Sequence, residues 1–206
     1  LIKGVGLRSF ERTHPVILSD GSGVILTGLA PDKTVEDLLF VRLGPAKRLE
    51  TLFQAAGVER NPAIDPSGRF IAYDSDESGR PEVYVRPFPN AGSRKWQVAT
   101  DGGTGPKWTR RGGEIVYKDS RGRMFARAVR SNGNSDAFVS KPEPLFDAGP
   151  SDDSGLDRGW DVTADGERFL IRVRDSVSKG PEAALELILI QNWGDELKRL
   201  VPVPPK

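Results

Sequence analysis

Apolar residues fall along most of this chain in short runs of three or four separated by polar, Gly and Pro positions, and through the repeats these runs show no 3.6-residue helical spacing. The clearest are 24–26, 38–41, 70–73, 83–85, 115–117, 169–171 and 187–190, whose β-branched and aromatic content suits strands. Residues 61–73 show the pattern best. Pro62 sets an extended entry, Asp65-Pro66-Ser67-Gly68 supplies turn chemistry, and Phe70, Ile71, Ala72 and Tyr73 form an uncharged second strand.

Aligned on its turn glycine, this hairpin recurs three times. Pro15 to Leu26 and Pro106 to Tyr117 match it position for position, and Trp160 to Ile171 keeps everything but the proline. The turn glycines Gly21, Gly68, Gly112 and Gly166 stand 47, 44 and 54 residues apart, the spacing of one four-stranded propeller blade. Each hairpin is followed by a third strand (37–41, 82–85, 123–128 and 184–190) and, in the first three repeats, by a fourth (49–53, 95–99 and 144–146). In the second repeat the alternation along the outer strands predicts one packed and one solvated face. The expectation is an all-β propeller of about four antiparallel four-stranded blades, near 13–56, 57–101, 102–150 and 151–192, or a fragment of a larger propeller.

Residues 1–12 read as a lone strand, either the outermost strand of the last blade or the remnant of a preceding one. At the other end Trp193, Leu197 and Leu200 are spaced four and three apart. Asp195 and Glu196 precede Lys198 and Arg199, so 193–206 is expected to form a short helical cap ended by prolines.

The repeated Pro-x-Ile/Trp-x-x-x-Gly-x-x-Ile-x-Tyr text, with a Glu82-Val83-Tyr84-Val85 third strand, resembles the TolB-like, WD-like β-propeller repeat. The last copy, from Asp161 to Ile171, and the ending Asn192-Trp193-x-x-Glu196-Leu197-Lys198 are similar to the closing segment of propellers attached to bacterial serine/threonine protein kinases and related sensors. The resemblance covers nearly the whole chain. It implies a bacterial, periplasmic or otherwise extracytoplasmic setting. Two departures stand out: Arg110-Arg111-Gly112-Gly113 lacks the usual turn aspartate, and four repeats are fewer than the roughly six to eight blades common among such proteins.

Composition narrows the partners. Thirty basic and 29 acidic residues, interspersed, give a net charge of +1, which disfavours a nucleic-acid-binding stripe. Absence of cysteine excludes disulfides and thiolate zinc sites. The longest apolar runs fall far short of a bilayer span, so no membrane insertion is expected. A start at Leu1 without a basic or apolar leader reads as a piece of something longer.

Candidate chemistry lies outside the repeat. Arg60, Asn61, Arg158, Trp160 and Asp161 flank the starts of inner strands and would converge at one channel mouth. His14, the single histidine, precedes the first strand and reads as a polar residue at the same mouth; no nucleophile motif accompanies it. Asp74 and Asp76 open a loop resembling the start of a calcium site, but its twelfth position is Val85 where a glutamate is required, so no metal and no cofactor is expected. Trp108 aligns with Ile17, Ile64 and Val162 and reads as blade packing. The basic run Lys118, Arg121, Arg123, Arg127 and Arg130 reads as a solvated strand face.

The functional expectation is a non-catalytic module that binds or senses a protein or small molecule, within a larger bacterial protein. Two alternatives stand beside it: an accessory propeller of a hydrolase or peptidase, and a structural module whose open blade edges complete a larger ring as a homodimer.

Overall fold

The computed structural model describes residues 15–30, 34–44, 48–109, 113–131, 137–149, 159–174 and 185–190. Among these there are sixteen strands and no helix, in antiparallel sheets that follow the repeats. The expected lone strand at 1–12 and the helical cap at 193–206 lie outside the described residues.

The first blade is β1 (Val16–Ile17), β2 (Gly23–Gly28), β3 (Asp37–Arg42) and β4 (Arg48–Thr51), paired in chain order. The second has the same plan: β5 (Glu59–Ile64), β6 (Phe70–Ser75), β7 (Glu82–Pro87) and β8 (Trp96–Gln97). The third is built on β9 (Thr104–Thr109), β10 (Glu114–Lys118) and β11 (Arg123–Ser131). Here β11 runs to nine residues and carries two outer partners, β12 (Ala137–Val139) on its far half and β13 (Glu143–Asp147) on its near half. In the fourth, β14 (Trp160–Val162), β15 (Phe169–Arg174) and β16 (Leu185–Ile190) form a three-stranded sheet.

The turn residues act as their chemistry requires. Gly21, Gly68 and Gly166 have φ of 70°, 71° and 76°, a region in which glycine carries no Cβ penalty. Inside the second turn the Asp65 carboxylate accepts the amides of Ser67, Arg69 and Phe70 at 3.0, 2.7 and 2.6 Å, together with the Ser67 hydroxyl. In the fourth copy Thr163 Oγ1 takes over part of that role, accepting the Arg168 amide at 3.1 Å.

Successive residues of the inner and middle strands of the first three blades point into different clusters, because those blades are packed on both sides. By contrast, β15 of the fourth alternates buried Phe169 and Ile171 with exposed Leu170 and Arg172. Ile25, Leu38, Phe40, Ile71, Tyr73 and Tyr84 fill the seam between the first and second blades. Phe70, Ala72, Val83, Val85, Ile115 and Tyr117 fill the next seam, and Val116, Met124, Ala126, Trp160, Phe169 and Ile171 the third. Leu26, Leu39 and Val41 form a further cluster on the opposite face of the first blade. The expectation of a solvated face on the second blade is corrected for β7, which like β6 is buried throughout; on outermost β8 Gln97 is exposed beside half-buried Trp96. Polar residues on these strands are accommodated by pairing. Arg86, 9% exposed, donates to the Tyr73 hydroxyl and the Ala91 carbonyl, both at 2.8 Å, and lies 4.2 Å over the Phe53 ring.

The first strands of adjacent blades touch in sequence, β1 with β5, β5 with β9 and β9 with β14. Arranged side by side, they are the inner strands around one axis, as in a propeller.

Candidate functional site

Where β5 begins, its pairing with β6 is interrupted between Arg60 and Ala63, and Asn61 takes φ of 52°, the only non-glycine with positive φ among the described residues. Such a conformation in a strand needs outside support. Asp74, 5% exposed on β6, supplies it by accepting the Asn61 side-chain amide at 2.8 Å. The same Oδ2 atom accepts the Gly105 backbone amide of β9 at 2.7 Å. Gly105 occupies the repeat position of Asn61 and also has positive φ, 60°. One buried carboxylate thus fixes the left-handed residue of two neighbouring inner strands. Arg60 beside it, partly exposed, forms a 3.4 Å ion pair with Glu36 of the first blade.

The second group lies between the third and fourth blades. Lys107 of β9 and Asp161 of β14 hold equivalent repeat positions and meet at 3.0 Å, with the Asp161 side chain 68% exposed. Lys107 Nζ also stands 5.3 Å over the Trp160 ring, which is buried against Phe169. The indole N–H of Trp160 has no hydrogen-bond partner among the described residues.

The sequence candidates therefore fall into two groups, Arg60 and Asn61 on β5 and Trp160 and Asp161 on β14. His14 and Arg158 lie outside the described residues. The loop expected to resemble a calcium site is structural: Asp74 holds the two inner strands, and Asp76 Oδ1 accepts the Val58 amide at 2.8 Å. That crossover is tight, since a Cβ on Gly57 would sit 2.5 Å from the Glu77 amide nitrogen. No group of three or more metal-ligating side chains occurs among the described residues.

The basic run is dispersed by the fold. Arg123 pairs with Asp119, Arg127 donates to the carbonyls of Ser140 and Val98, Lys118 is buried, and Arg130 lines a cleft between the second and third blades. Burial alone would raise the Asp119 carboxyl, but hydrogen bonds from Arg123 and Arg121 outweigh it and hold it below the usual range. Trp108, half-buried, packs against the second seam and donates to the Ala63 carbonyl at 3.1 Å.

Residue-by-residue reading missed two features. Lys107 carried a signal, a charge opposite to that of Asp161 at the same repeat position. Glu59 carried none. It is fully buried at the start of β5, with Oε1 accepting the Ser75 hydroxyl at 3.0 Å and Oε2 having no donor among the described residues. Burial first, then the neighbouring Asp37 and Glu77 carboxyls, push its pKa up to about 7.

No family model and no curated protein matches the chain. Among solved structures it is similar to TolB from Acinetobacter baumannii, at 14% identity and a TM-score of 0.56 over 86% of this chain and 40% of that one. A protein from Agrobacterium tumefaciens provisionally called TolB gives 16% identity and 0.59, over 92% of this chain and 65% of its own. A protein from Bacteroides uniformis provisionally called a 6-phosphogluconolactonase gives 16% and 0.55, over 87% and 55%. The chain has a TolB-like β-propeller fold and spans 40–65% of the length of these proteins.

Proposed function

We propose that this chain is a non-catalytic binding module whose inner-strand lining, at the end carrying Arg60, Asn61, Lys107 and Asp161, contacts a protein or small-molecule partner. The observation that supports this reading most is Asn61. Asn61 places a side chain at a left-handed position that the next blade fills with glycine, Gly105, and holds it by a buried carboxylate, and such strain clusters at binding sites. The resemblance of the last repeat to kinase-attached propellers makes the sensory end of a larger extracytoplasmic bacterial protein the natural setting. No described helix is long and apolar enough to cross a membrane. Changing Arg60, Asn61, Arg158 and Asp161 together is expected to abolish capture of a partner that the unaltered chain retains in a pull-down read by mass spectrometry. Capture by the folded quadruple variant would move the site elsewhere.

A second reading, completion of a larger ring by another copy, is favoured by Ile17. Its repeat equivalents Ile64, Trp108 and Val162 each pack against a seam, whereas Ile17 is 70% exposed. Native mass spectrometry is expected to show a dimer that Ile17→Glu shifts to monomer; a monomer at all concentrations removes this reading.

A further inference from the structure

At the opposite end of β5 from Asn61, the inner hairpin turn of the second blade and the third blade enclose a cleft of about 490 Å³. That volume is in the range of small-molecule sites. Its apolar wall is Phe70, Trp108 and Val129, and its polar groups include Ser67, Arg69 and Arg130. Asp65, the one acidic residue among the described lining residues, is already engaged by four donors of its own turn. Arg69 donates from Nε to Ser67 Oγ at 3.0 Å, its guanidinium carbon stands 6.0 Å from the centroid of the Phe70 ring, and neither Arg69 nor Arg130 forms an ion pair among the described residues. The Trp108 N–H is spent on Ala63, so the indole offers the cleft a ring and no donor.

We propose that this cleft binds a small organic carboxylate with an aromatic or aliphatic body, the carboxylate bridging Arg69 and Arg130 and the body lying against Phe70, Trp108 and Val129. Guanidinium forks match the two coplanar oxygens of a carboxylate, and an apolar wall beside two uncompensated cations selects an amphiphilic anion over a bare ion. The site is independent of the partner surface proposed above, at the other end of the inner strands.

The test uses the full chain, isotope-labelled, with 4-phenylbutyrate, its neutral amide and phenyl phosphate as probes. Saturable 4-phenylbutyrate shifts are expected at the Trp108 indole and at Phe70 and Val129, with the amide binding at least about tenfold more weakly, because one charge-assisted hydrogen bond is worth that much. Arg69→Gln with Arg130→Gln should weaken 4-phenylbutyrate to the level of the amide while leaving the thermal midpoint unchanged, since both side chains are exposed. Equal binding of acid and amide, undiminished binding by the folded double variant, or shifts away from these residues would overturn the proposal. Tighter binding of phenyl phosphate than of the carboxylate would reassign the site to phosphate esters.

Discussion

Replacing Tyr73 by alanine is expected to lower the free energy of unfolding by about 4 kcal/mol, the largest single-residue effect foreseen in this fold. Tyr73 is fully buried in the seam between the first and second blades, stacked on Tyr84 at 5.8 Å and tilted against Phe53 at 4.9 Å. Its hydroxyl also accepts a hydrogen bond from the buried Arg86. Alanine would open a cavity and leave Nε of that guanidinium without its acceptor. Tyr73→Phe separates the two contributions: it keeps the ring and should cost only about 1–2 kcal/mol. Denaturant titration of both variants measures this. If phenylalanine costs as much as alanine, the seam is governed by the Arg86 hydrogen bond and not by packing.

Stability is expected to fall as pH rises from about 4.5 to about 7, against the usual trend for a protein with buried carboxylates. The Glu59 pKa, about 7 in the folded chain, lies above its ordinary value of 4.5. Below 4.5 both folded and unfolded chains hold the proton, and the contribution of Glu59 is fully present. Between the two values the unfolded chain releases its proton while the folded chain keeps it, so stability falls across this window. Asp119, with its lowered pKa, acts in the other direction and only below about pH 4, outside this window. Glu59→Gln, which keeps an acceptor for Ser75, should flatten the profile between pH 4.5 and 7 and be more stable than the unaltered chain at pH 8. A variant with the same slope would show that Glu59 is not the group that titrates in this window.

The repeat was legible because its turns are chemically narrow: Gly21, Gly68 and Gly166 hold backbone angles that few residues tolerate, and Asp65 satisfies the amides of its own turn. Burial on both faces was not legible from Glu82-Val83-Tyr84-Val85-Arg86, because Glu82 and Arg86 look like solvated ends. Their partners, Arg80 and the Gly102 amide for Glu82 and Tyr73 for Arg86, lie two to twenty residues away. The second outer partner of β11, Ala137–Val139, escaped notice because the expected third strand ended at 128, short of the residues 129–131 with which it pairs. Of the candidate site, Arg60, Asn61, Trp160 and Asp161 were found by asking what the repeat does not explain. Their grouping was not, because it depends on Asp74 and Lys107 reaching across seams.

Each blade is built from one contiguous stretch of chain, as a simple meander in the first two, and the seams join blades that are neighbours in the chain. Ordering a blade therefore closes only short loops, and each added seam closes one more of similar length. The energetics approach those of a linear array, a sum of blade terms and nearest-neighbour seam terms, in which order can start in any blade and spread outward. Duplication or loss of a single blade would alter two seams and leave the rest of the array intact, so a chain of this kind can change its blade number in whole units without redesigning a core.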